Sequence, residues 1–115
     1  MLSVTGLARI FYCPVPVDMH MSFDSLAGAV RRLLAHDPLD GSLYVFFGRR
    51  RNLVKVLCWE GDGFSIWYKR LERGRFNLPR GRDGRISLEY RELQAILAGI
   101  RPARYYVRYN SRLPQ

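Results

Sequence analysis

Between Leu43 and Arg70, three apolar runs separated by two short turns constrain this chain more than any other feature. The runs are Leu43–Phe47, Leu53–Trp59 and Phe64–Arg70, all rich in aliphatic and aromatic residues. Gly48-Arg49-Arg50-Arg51-Asn52 and Glu60-Gly61-Asp62-Gly63 separate them. Runs of that length and composition read as strands, and connections this short join only antiparallel neighbours. The segment therefore reads as a three-stranded meander. Pairing across the Glu60–Gly63 turn sets Trp59 opposite Phe64, Leu57 opposite Ile66 and Lys55 opposite Tyr68. Side chains alternate along a strand, so these share one face, and Val54, Val56, Cys58, Ser65, Trp67 and Lys69 share the other. Both faces carry apolar residues. One helix covers one face. The second must meet another helix, another protomer or a partner, so a dimer or an interaction surface is expected there.

The flanking sequence supplies the remaining elements. Residues 7–12 read as a first strand, stopped by Pro14 and Pro16, which lack the N–H that a sheet ladder needs. Ser22 is a plausible N-cap for a helix over 23–35, whose Phe23, Leu26, Ala27, Val30, Leu33 and Leu34 form one apolar stripe. Residues 76–78 suggest a short edge strand ending at Pro79. A second helix is expected over 88–98, with Leu93, Ile96 and Leu97 inward and Gly99 as its stop. The fold class is thus α+β: an antiparallel sheet of about four to five strands with two helices, one domain over residues 1–101. Residues 102–115 read as a basic, tyrosine-rich extended tail.

Charge is placed unevenly. The 115 residues carry a net charge of +9. Residues 1–48 hold three basic and four acidic side chains, 49–85 eleven and four, and 86–115 five and two. An excess concentrated in the middle third points to a polyanionic partner, nucleic acid first. The candidate phosphate contacts are Arg49, Arg50 and Arg51 at a turn, extended by Lys55, Lys69, Arg70, Arg73, Arg75, Arg80, Arg82 and Arg85. Trp67, beside Ser65 and Lys69, is the aromatic candidate for contact with a base or a protein. Trp59, Phe64 and Tyr68 read as core.

Other chemistry is poorly supported. Cys13 and Cys58 are far apart, with no Cys-x-x-Cys and no clustered His, so no zinc site is expected. Cys58 reads as a small buried hydrophobe. Glu60-Gly61-Asp62-Gly63 reads as a turn rather than a metal loop. His20 and His36 lack triad partners. Gly81 and Gly84 do not build a phosphate-cradling loop before a helix. No catalytic residue, metal or cofactor is expected. Neither a signal peptide nor a transmembrane run is expected, and reduced thiols suit the cytoplasm.

The segment Trp59 to Arg80 (Trp-x-Gly-Asp-Gly-Phe-x-x-Trp-Tyr-Lys-Arg-Leu-Glu-x-Gly-Arg-Phe-x-x-Pro-Arg) resembles the signature of the TnpB (Orf2-like) accessory proteins of the insertion sequence 66 family. Arg9-Ile10-Phe11, Pro16-Val17-Asp18-Met19, Ser22-Phe23-Asp24 and Asp37 to Phe46 are similar to that family's N-terminal and central patterns. Glu92-Leu93 and Leu97-x-Gly99-Ile100 resemble its closing helix. The resemblance covers roughly residues 7–101. Glu89 departs from it, standing where Thr is common as a helix cap, and so does His20, which replaces a basic residue. The likeness implies an accessory protein of a mobile element, encoded beside a separate transposase that carries the strand-transfer chemistry. Expected partners are DNA at the element's ends, the transposase and the sister accessory protein, with a homodimer also expected and no membrane. The implied location is cytoplasmic, at the nucleoid. The alternative is a protein-binding adaptor or oligomerisation module without DNA contact.

Overall fold

The computed structural model describes residues 8–79 and 83–99. The C-terminal tail, Arg80 and Arg82 lie outside them. A single five-stranded sheet carries a helix on each face. In chain order the elements are β1 (Ile10–Tyr12), α1 (Phe23–Ala29), a π-helical turn (Val30–Leu34), β2 (Leu43–Phe47), β3 (Leu53–Trp59), β4 (Phe64–Arg70), β5 (Ser87–Leu88) and α2 (Tyr90–Leu97). The strand order is β4-β3-β2-β1-β5.

The meander forms as the sequence suggests, with Trp59 opposite Phe64, Leu57 opposite Ile66 and Lys55 opposite Tyr68. β1 joins β2 in parallel, Ile10 beside Leu43, and α1 makes the crossover between them. The sheet is therefore mixed, though mostly antiparallel. β1 is shorter than expected, beginning at Ile10. Residues 76–78 form no strand: Phe76 turns inward and is buried against the core. The far edge is made instead by β5, antiparallel to β1.

Each face has its own core. Under α2, Leu93 and Ile96 meet Ile10, Tyr12, Val45, Phe47, Val54, Val56 and Phe76. Under α1 and its π turn, Leu26, Ala27, Ala29, Val30 and Leu34 meet Cys13, Tyr44, Phe46 and Leu57. The second apolar face is thus covered by the second helix. The central strand β2 is buried along its whole length, as a strand sandwiched between two helices must be.

Local rules explain where the helices start and stop. The backbone N–H of Ser22 donates to Ser25 Oγ, and Leu26 N–H donates to the Ser22 carbonyl. The helical segment ends at Ala35, which takes the left-handed conformation at φ 56°, while His36 N–H reaches back to the Val30 carbonyl. Glycine is the usual residue there. Of the proposed apolar stripe, Phe23 and Leu33 remain exposed. α2 begins later than expected, with Glu89 as N-cap: its N–H is accepted by Glu92 Oε1 at 2.8 Å. A Gln or Glu three residues into a helix often closes its first turn in this way. Gly99, at φ 75°, stops α2, its N–H bonded to the Ile96 carbonyl. No helix among the described residues is long and apolar enough to cross a membrane.

Candidate nucleic-acid interface

The topology sorts charge to the two ends of the sheet. β1 and β2 run parallel, β3 and β5 oppose them, and β4 opposes β3. One end therefore holds the β2–β3 turn, the end of β4 with the loop after it, and the approach to β5. Arg49, Arg50, Arg51, Arg70, Arg73, Arg75 and Arg85 all lie there. The opposite end holds the 37–42 loop, the Glu60–Gly63 turn and Glu89, with the carboxylates Asp37, Asp40, Glu60 and Asp62. Four strand spacings separate β4 from β5, so the basic end is roughly 19 Å wide, about five to six base-pair rises along a duplex.

Backbone hydrogen bonds build the centre of this end. In the β2–β3 turn, Arg51 N–H donates to the Gly48 carbonyl at 3.0 Å, and Arg51 itself is left-handed at φ 60°. A β-turn followed by a left-handed residue is a common hairpin closure. The loop after β4 folds back onto it: Leu71 N–H donates to the Asn52 carbonyl at 2.8 Å and Phe76 N–H to the Arg51 carbonyl at 2.7 Å. The Phe76 ring packs 6.0 Å from that of Phe47. This anchor carries Arg73 and Arg75 to the hairpin tip. Arg49, Arg50, Asn52, Gly74 and Arg75 then line a shallow groove of about 440 Å³.

On the side of the 14–19 loop, Arg49, Arg50 and Asn52 line a second groove of about 410 Å³ with Pro16, Val17, Asp18 and Met19. Gly48 lines it too: a Cβ there would stand 2.7 Å from Met19 Cγ, so a larger residue would force the Met19 side chain aside. Asp18 is committed elsewhere. Its Oδ1 accepts the His20 N–H at 2.8 Å and lies 2.9 Å from His20 Nδ1. The backbone bond first, then the ring, holds its carboxyl below the usual range.

The remaining candidates divide. Among the described residues, Arg49, Arg50, Arg51, Arg73, Arg75 and Arg85 form no ion pair. Arg70 stands 3.8 Å from Glu72 in an exposed pair, which contributes little. Arg85 shares the end but sits at its other edge, beside β5. Lys55 serves the fold: its Nζ donates to the Met21 carbonyl at 2.7 Å, ahead of α1. Lys69 Nζ donates to the Leu97 carbonyl at 3.0 Å, where a cation suits the C-terminal end of α2. Trp67 is half-buried against the core under α2. Arg80 and Arg82 lie outside the described residues.

Tyr68 corrects the reading of the aromatic set. It was expected in the core, yet it is 64% exposed, with Lys55 Nζ 5.8 Å from its ring centroid. Its face was assigned correctly, but α1 does not cover the edge strand to its end. The Lys69-Arg70 pair that follows it was the available signal, since charge at a strand's end marks where cover stops. Trp59 and Phe64 are half-buried and pack edge-to-face, centroids 5.0 Å apart. Asn52, which lines both grooves, carried no sequence signal.

The acidic end is organised around Tyr44. Its buried hydroxyl lies 2.9 and 3.0 Å from the two Asp40 carboxylate oxygens and 3.1 Å from the Asp37 carbonyl. Burial, then the Asp40 hydrogen bond and charge, pushes its phenol far above the ordinary range. Burial works to raise the Asp40 carboxyl too, but hydrogen bonds from Ser42 and Tyr44 and the Arg9 charge outweigh it and hold it low. Arg9 closes the group at 3.2 Å from Asp40.

The sequence pattern of the IS66 Orf2-like proteins matches residues 8–106. The chain belongs to this family. It is therefore a transposition-associated accessory protein of the insertion sequence 66 group, and the match runs past Ile100, where the motifs quoted above end. Two proteins of Sinorhizobium fredii are similar over 92 residues. "Uncharacterized protein y4hO" is 40% identical, with 80% of each chain covered. "Uncharacterized protein y4jC" is 30% identical, with 80% of this chain and 79% of its own covered. No solved structure matches significantly.

Proposed function

We propose that this IS66 Orf2-like protein is a non-enzymatic accessory factor that binds DNA at the element's ends through its basic end. The carrying observation is the convergence of Arg49, Arg50 and Arg75 on one groove, with Arg51 and Arg73 beside them and, among the described residues, no carboxylate paired to any of the five. Guanidinium groups left free on anchored backbone suit phosphate oxygens, which accept their planar donors in pairs. The carboxylates at the opposite end give the molecule a polarity that turns the basic end towards a polyanion. The free arginines supply charge chiefly for phosphates, so binding is expected to be set mainly by backbone charge.

Five phosphate contacts give a slope of log K against log salt near −4.5 on duplex and near −3.5 on single strands. On duplex, raising salt from 50 to 200 mM then weakens binding about 500-fold. Fluorescence anisotropy with labelled element-end DNA, duplex and single-stranded, tests this directly. Absence of binding at 50 mM salt would remove the proposal. Contacts with the transposase and the sister accessory protein belong on the remaining surface, where Phe23 and Leu33 leave apolar side chains exposed. Co-purification that survives nuclease treatment supports such contacts, and loss on nuclease treatment makes DNA the tether.

A further inference from the structure

β4 is an edge of the sheet, and among the described residues no strand pairs with its outer side. Its hydrogen-bonding phase follows from its two ends. Glu60 N–H donates to the Gly63 carbonyl and Leu71 N–H to the Asn52 carbonyl, so both are hydrogen-bonded pairs. Bonded and non-bonded pairs alternate along an antiparallel ladder. Ser65, Trp67 and Lys69 therefore turn their backbone groups towards β3, and Phe64, Ile66, Tyr68 and Arg70 turn theirs outward. That is a free edge the length of the strand, in a stretch whose Phe64, Ile66 and Trp67 are only half-buried and whose Tyr68 is exposed. Such an edge is a template for another strand.

We propose that two copies of this chain pair through the outer edges of their β4 strands, antiparallel and centred on Trp67, into one continuous sheet. Centring there matches outward residues with outward residues: Ile66 with the partner's Tyr68, and Phe64 with the partner's Arg70. The exposed Tyr68 ring then lies against the partner's Ile66. Charge selects the same arrangement. β4 has its cations, Lys69 and Arg70, at one end and the Glu60–Gly63 turn, with Glu60 and Asp62, at the other. Antiparallel pairing brings the cations of one copy to the acidic turn of the other. Parallel pairing sets Lys69 and Arg70 beside their own copies. Edge cations usually repel a visiting strand; here they repel strands in general and fit this one. The basic ends of such a dimer face in opposite directions. This pairing is independent of DNA binding, and its test contains no DNA.

Sedimentation equilibrium of the full chain from 1 to 100 µM tests the pairing, and a dimer is expected at the upper concentrations. Tyr68→Pro removes an outward N–H without touching the β3–β4 ladder, and proline is tolerated on edge strands. This variant is expected to sediment as a monomer with an unchanged far-ultraviolet circular dichroism spectrum. Ser65→Lys, which sets a cation opposite the partner's Lys69, is expected to weaken the dimer, and added salt is expected to restore it. In the unaltered protein, amide exchange at Ile66 and Tyr68 is expected to slow as the dimer forms and to quicken on dilution. A monomer at every concentration, with both amides exchanging freely, overturns the proposal. So does a dimer in which those amides stay unprotected, or one that a folded Tyr68→Pro protein retains.

Discussion

Consider replacing Phe76 by Ala. The ring is 1% exposed, lies 6.0 Å from the Phe47 ring, and sits where the loop after β4 bonds to the β2–β3 turn. Truncating a buried Phe removes its transfer free energy and leaves a void, together about 3–5 kcal/mol. A domain of this size has roughly 5–15 kcal/mol in total, so the loss is a large fraction of it. With a urea m-value of about 1.5 kcal/mol/M, the unfolding midpoint falls by about 2–3 M. Phe76→Leu keeps most of the volume and costs on the order of 1 kcal/mol. The site feels the change as well. Arg73 and Arg75 are positioned by this anchor, so Phe76→Ala is expected to weaken DNA binding at a temperature where it is still folded, though no charge is lost. A midpoint shift below about 0.5 M would mean that the ring does not fill the core and that the loop is held by something else.

Three further outcomes are expected. Ala35→Gly relieves a left-handed alanine and is expected to stabilise the protein by about 1 kcal/mol in the same urea assay. The Tyr44 phenol is raised by folding, so its contribution is complete below the unfolded value near pH 10 and is lost as pH rises beyond it, at about 1.4 kcal/mol per pH unit. Tyr44→Phe is expected to remove that part of the alkaline slope in unfolding measured from pH 8 to 12, at some cost in stability at neutral pH. Burial raises the Cys13 and Cys58 thiols, the latter helped by Glu60 and Asp40, so both are expected to react with a disulfide reagent at pH 7 more slowly than free cysteine.

What could be seen in the sequence was what short-range rules decide. Strand runs and turn lengths placed β2, β3 and β4 and their facing residues, because a four-residue turn leaves little freedom in register. The parallel seam between β1 and β2 was not visible, since it depends on where the chain returns after α1. The same holds for β5: two residues carry no periodicity, and they become a strand only because β1 offers an open edge. Phe76-Asn77-Leu78 has strand composition, yet Phe76 is drawn inward by Phe47 and the space under α2. The basic end was half legible. Composition marked the middle third, but only the topology separates Arg49, Arg50 and Arg75, which share a groove, from Lys55 and Lys69, whose ammonium groups bond to main-chain carbonyls beside α1 and α2.

The proposed DNA binding rests on free guanidinium groups at one end of the sheet meeting phosphates. The most direct measurement compares salt-dependent duplex affinity in three proteins: the unaltered chain, the Arg49→Ala/Arg50→Ala/Arg75→Ala variant, and an Arg31→Ala/Arg32→Ala variant that removes exposed charge from the π-helical turn. Losing three phosphate contacts is expected to flatten the log–log slope by about 2.7 and to cost several-hundred-fold in affinity at about 0.1 M salt. The Arg31 and Arg32 variant is expected to keep the slope of the unaltered chain. Equal losses in both variants, or none in the first, would mean that these guanidinium groups do not hold the DNA.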